Sequence, residues 1–341
     1  MVENMPAPAP SGMVAAMQPP TPHDSFFKAA FSDPANAAGL VRHLVRRSIA
    51  SRIDWSTMQL VPGSFVAPDL RGRHSDLLFT ARCSDKEVLI YILLEHQSTD
   101  DPLMAFRVLV YMIRIWERCV RERPAITRLP AILPLVVHHS RQGWTSPTSF
   151  AELFDLTPEA LAAMAPHLPS FSFVLDDLRA ASDASLRRRA MTTLGRLALF
   201  CLRHASNPDE LVRGLGRWVD LIRELRAAPG GQEALELMWR YVFTVSAPPS
   251  PEALVERLLL VVGEEEKEEI VTAAEQLMER GREQGRVMEQ REILLEQLRV
   301  RFGAMESAVE ARVLAADPAQ LRRWLLRFAT AATVAEVFAQ E

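Results

Sequence analysis

The chain has 341 residues, 48% of them hydrophobic, and a formal net charge of −4. That is enough apolar material for a sizeable core and about two domains, yet no apolar run approaches the roughly 20 residues of a membrane helix. Three distant cysteines, Cys83, Cys119 and Cys201, exclude a disulfide scaffold and a cysteine-based zinc site and read as reduced core thiols of a cytoplasmic protein. The charge is uneven: residues 21–150 carry 16 Lys+Arg against 12 Asp+Glu, and residues 151–341 carry 23 against 30. A mildly basic N-terminal half suits contact with phosphate.

Residues 1–22 hold six prolines and one acid, with neither a basic start nor an apolar centre. They are expected to form a disordered tail rather than a signal peptide. A helix is predicted from Asp24 to about Arg47, with Phe26, Phe27, Phe31, Leu40 and Leu44 on its apolar side. Strands are predicted at 58–66, 75–82, 88–97 and 131–138, and a further short one at Phe171 to Asp176. The run 88–97 is nearly all apolar, without Gly or Pro, as a strand covered on both faces should be. A long helix over 102–122, opened by Asp101 and Pro102, separates it from the strand at 131. The core thus spans 23–178 in the order α-β-β-β-α-β, a mixed sheet flanked by helices. Residues 179–262 continue it in helices, with breaks at Asn207-Pro208, at 229–231 and at 247–251.

Beyond 263 the composition changes to an all-α extension. Glu264 to Glu269 hold five acids in six residues, and 263–298 form a charged helix. Its apolar positions Ile270, Ala274, Leu277, Met288, Leu295 and Leu298 fit a heptad register that Gly281, Gln284, Gly285 and Arg291 interrupt. A solvated connecting helix and a short dimerising coiled coil both remain open. Residues 292–341, with Leu321, Trp324 and Phe338, read as a small helical domain and interaction module.

The chemistry gathers around two strands. Asp76 opens one, and Glu95 and Gln97 close the next. Side chains alternate along a strand, so Leu93, Glu95 and Gln97 share a face. A hairpin loop of two or four residues at 83–86 sets Asp76 opposite Leu93 or Glu95, and either register brings Asp76 to that face; a one-residue slip does not. Two carboxylates in an apolar sheet need compensation, and a hard divalent cation supplies it. This is the layout of a magnesium-dependent nuclease core.

Other residues have two readings each. Asp24 and Lys28, one helical turn apart, are an outer metal ligand and a phosphate contact, or a capping acid and a surface lysine. Arg107 and Tyr111, also a turn apart, flank the cleft or pack. His138 and His139, adjacent on a strand, are placed in the core or at the rim rather than at phosphate. Asp176 and Asp177 are distant candidates for a further acid.

The segments His23–Lys28, Ser75–Leu77, Leu94–Ser98, Met104–Tyr111 followed by Arg114 to Trp116, and Ala131–Ser140 followed by Trp144 carry a resemblance. Over about residues 21–260 the chain resembles the recombination-promoting nuclease / putative transposase family, a branch of the PD-(D/E)XK nuclease superfamily. The resemblance implies a restriction-endonuclease-like core and a magnesium-dependent DNA endonuclease, with Mn2+ able to substitute. It implies that Asp76 and Glu95 bind the metal and that Asp76, Glu95 and Gln97 are catalytic. Gln97 stands where the wider superfamily has Lys, so a surrogate cation or third ligand is sought among Asp24, Lys28 and His96. A degenerate nuclease fold that binds DNA or protein is the other expectation. The C-terminal region resembles a helical domain often appended to this family, and a homo-oligomer through it is expected.

Overall fold

Three antiparallel strands build the first half of the sheet: β1 (Ile53–Leu60), β2 (Ser75–Cys83) and β3 (Lys86–Glu95). The computed structural model describes residues 21–62, 75–84, 86–95, 101–248 and 250–339. Cys83 pairs with Lys86, and Ser84 has the positive φ of 57° that tight hairpins require. This two-residue connection places Asp76 opposite Leu93, the first of the two registers expected. Two parallel strands, β4 (Ala131–His138) and β5 (Val174–Asp177), complete the order β1-β2-β3-β4-β5.

Alternation then decides the two faces. Leu78, Leu89, Tyr91 and Val136 join the cluster under the long helix that links β3 to β4. Leu77, Phe79, Ile90, Ile92, Leu135 and Val137 are buried at the alternate positions. The sheet is therefore covered on both sides, as the apolar run of β3 demands.

The N-terminal helix is not continuous from 24 to 47. It divides into α1 (Pro22–Phe31), α2 (Pro34–Leu44) and the short α3 (Arg47–Ala50). The reason is local: the Asp33 carboxylate accepts the Ala35 amide at 2.7 Å, and Pro34 occupies the first turn, so a new helix starts there. Leu44 is half-buried, and Val45 is buried beside it. β1 also lies earlier than the expected 58–66; Ile53 and Asp54 pair with Cys83 and Arg82, and an irregularity between Asp54 and Gln59 carries the strand on to Leu60. Positions 63–66 fall outside the described residues. The linking helix α4 (Met104–Glu122) begins after Leu103, and the Asp101 carboxylate accepts the Leu103 amide (2.8 Å) rather than capping at the N-cap position.

Helices complete the first of two units, residues 1–270. They are α5 (Pro158–Met164), α6 (Asp183–Arg187), α7 (Thr193–His204), α8 (Pro208–Leu215), α9 (Val219–Ala227), α10 (Gly231–Ser246) and α11 (Pro251–Val262), with breaks where Pro and Gly predict them. Arg226 on α9 ties down Glu266 (2.9 Å) and Glu269 (2.7 Å).

The second unit, residues 271–341, has its own core. Leu294 and Leu298 from α12 (Lys267–Phe302) pack with Val313 of α13 (Ser307–Ala315), Leu321 and Trp324 of α14 (Pro318–Phe328), and Val337 of α15 (Val334–Val337). Of the expected heptad seam, Leu295 and Leu298 are spent in this core, whereas Met288 is exposed.

Candidate active site

Asp76 is buried at the start of β2, its side chain only 5% exposed. One oxygen, Oδ1, lies 3.9 Å from Lys28 Nζ on α1; the other, Oδ2, is buried with no hydrogen-bond partner among the described residues. Burial pushes the Asp76 carboxyl above the ordinary carboxylate range. The Lys28 ammonium opposes that rise, and the Asp24 charge adds to it. A buried carboxylate with an unmet oxygen is costly unless a further cation or donor arrives.

Helix α1 is held firmly against this corner. Thr21 and Asp24 form a reciprocal capping box, the Thr21 hydroxyl donating to Asp24 Oδ2 at 2.8 Å. His23 Nδ1 lies 2.7 Å from the Tyr241 hydroxyl of α10, and Phe26 stacks on the Tyr241 ring at 4.0 Å. His139 packs its ring 4.9 Å from His23. Burial raises the Tyr241 phenol well above its usual range, so it stays neutral and able to donate. Asp24 is thus a capping acid whose charge is felt at Asp76. His23 and Tyr241 are parts of the site's frame that sequence reasoning missed. Their pairing spans 218 residues, and no local pattern announces it.

On β3 the backbone register places position 95 two residues beyond Leu93, the partner of Asp76, and opposite His138 of β4. His138 is fully buried, 2.8 Å from the Ser140 hydroxyl and edge-on to Trp144. His96 and Gln97 lie outside the described residues. Arg107 is engaged by the Asp101 carboxylate at 2.6 Å. Tyr111 is buried in the α4 core with its ring 5.8 Å from Tyr91.

The distant acids have other duties. Asp176 is gripped bidentately by Arg189, at 2.6 and 2.7 Å, with both side chains at most 4% exposed. Asp177 accepts the amides of Trp144 and Arg179. Both serve the scaffold. Among the described residues no group of three or more His, Cys, Asp or Glu side chains gathers as a metal centre. Asp76 Oδ2 is one of the buried carboxylate oxygens with no hydrogen-bond partner among the described residues, and a hard oxygen donor of that kind fits magnesium or manganese.

The family model described as "Putative transposase, YhgA-like" matches residues 21–232, the stretch that contains α1, Asp76 and the whole sheet but not Tyr241. The chain belongs to that family. Among curated relatives, it is 31% identical over 180 residues to the recombination-promoting nuclease RpnA of Escherichia coli strain K12, covering 52% of this chain and 60% of that one. It is 31% identical over 122 residues to the recombination-promoting nuclease RpnD of Escherichia coli O157:H7, covering 35% and 45%. It is 30% identical over 131 residues to a K12 protein named as the inactive recombination-promoting nuclease-like protein RpnE, covering 38% and 42%. The chain spans about half the length of these relatives. No solved structure matches it. The family match ends at residue 232, before α11 and the second unit.

Proposed function

We propose that this member of the family is a divalent-metal-dependent DNA endonuclease linked to recombination or mobile-element activity, hydrolysing phosphodiester bonds. The observation that carries the reading is the buried, half-satisfied Asp76 paired opposite Leu93, two residues before position 95 on β3. That register is the one strand alternation requires for 76 and 95 to fall on one face. Relatives named as recombination-promoting nucleases support the same reading.

Asp76 and Glu95 would hold the metal, Mg2+ with Mn2+ as substitute. When bound, such an ion polarises the phosphoryl group and provides an activated water. Asp76, withdrawn from solvent, offers Oδ2 as a fixed anionic donor. Gln97 contributes an amide that orients water or a phosphate oxygen without carrying charge. DNA approaches the half of the chain with the mildly basic balance. No helix among the described residues is long and apolar enough to cross a membrane. The cytoplasm is the compartment we assign, on three cysteines that form no disulfide. Self-association through the C-terminal unit remains part of the proposal.

A second reading, a degenerate nuclease fold that binds DNA or protein, is favoured by the Lys28 cation already beside Asp76 and by a relative named inactive. Plasmid cleavage by the pure protein decides between them. The nuclease cuts with magnesium or manganese, stops with chelator, and loses cutting in Asp76→Ala and Glu95→Ala. DNA retention without cutting in either metal establishes the second reading.

A further inference from the structure

We propose that Lys28 is the phosphate-binding cation of this site. The inference rests on the reading of Asp76 and Glu95 as a DNA-cleaving centre. Its observations lie on α1, not on the strands.

Lys28 is one of three lysines in a chain with 36 arginines. Its ammonium lies 3.9 Å from a single oxygen of Asp76, and its side chain is 49% exposed while that of Asp76 is 5% exposed. The cation therefore sits where a buried carboxylate meets solvent, the side from which a phosphate must come. The same protein shows what a structural aspartate partner looks like: Arg189 closes on Asp176 with two bonds, both groups out of water. Lys28 makes no such clasp. A loose, single-oxygen, half-exposed contact contributes little stability and leaves ammonium donors directed to solvent.

The helix beneath it is not loose. The capping box at Thr21 and Asp24, the His23–Tyr241 contact and the Phe26–Tyr241 stack all lie within two turns of Lys28. A compact point charge on a rigid base, with three rotatable donors, suits a phosphate oxygen.

The test uses the full chain and a DNA duplex, with calcium in place of magnesium so that binding is read apart from cutting. Lys28→Met should weaken binding about fivefold to tenfold and reduce the slope of log affinity against log salt by about one. Lys28→Arg should keep both. In magnesium or manganese, Lys28→Met should cut more slowly by on the order of 10², and Lys28→Arg should keep most of the rate. A purely structural lysine would leave the salt slope unchanged on substitution. Wild-type affinity and salt slope in Lys28→Met overturn the inference. If the parent chain fails to cut in either metal, the nuclease reading falls; weaker binding and a lower slope in Lys28→Met would still establish the phosphate contact.

Discussion

Asp76 and Asp176 are both buried on the same sheet, and they have opposite surroundings. Asp176, on β5, meets a guanidinium that satisfies both oxygens in a dry pair. Asp76, on β2, meets one distant ammonium and keeps an oxygen without a partner among the described residues, and burial lifts its pKa. The difference separates an acid closed off by its ion pair from one whose charge is only partly compensated. Burial and identity alone do not separate the two.

The sharpest way to break the comparison is to remove each acid. Asp176→Ala strands a buried Arg189 and should cost about 3–5 kcal/mol, read by chemical denaturation. Asp76→Ala should leave stability near the parent's while cleavage falls by on the order of 10³ or more, since it removes the proposed metal donor. A large stability loss in Asp76→Ala would make it a second structural acid and end the contrast.

Asp76→Asn sharpens it. Because the folded-state pKa of Asp76 is raised, the native state favours the protonated form. Its ionisation therefore costs stability as pH climbs from the ordinary carboxylate range through the raised value, and the cost is complete above it. Asp76→Asn should be more stable than the parent at pH 7 by roughly 1 kcal/mol, or about 2–4 °C in Tm. That gain should vanish on acidification. A gain that persists at acid pH would mean that something other than the charge is relieved.

Tyr241→Phe keeps the stack on Phe26 and deletes the hydrogen bond to His23. The expected cost is again about 1 kcal/mol, with the sheet core intact by circular dichroism. The smallest effect is expected from a chain ending at Ile270, which retains the Arg226 contacts to Glu266 and Glu269. Both buried acids stay within the first unit, so cleavage and Tm should stay near the parent's. Light scattering on the two chains tests assembly: an unchanged subunit count removes the second unit as its source.

Much of this architecture is legible along the chain. The hairpin register follows from a short turn between two apolar runs, and alternation then sets 76 and 95 in line. Asp33 and Pro34 also signal a helix restart; the continuous apolar pattern from Phe26 to Leu44 obscured it. Each of these is a local matter of φ, caps and period, carried by residues within a few positions of one another. The environment of the acids is not local. Asp176 finds Arg189 and Asp76 finds Lys28 only when helices settle on the sheet, and His23 meets Tyr241 across 218 residues. A carboxylate's charge cost depends on the atoms within a few ångströms of its oxygens. The sequence by itself determined which acids enter the sheet and at what register. Only tertiary packing decided which of them would be left wanting a partner.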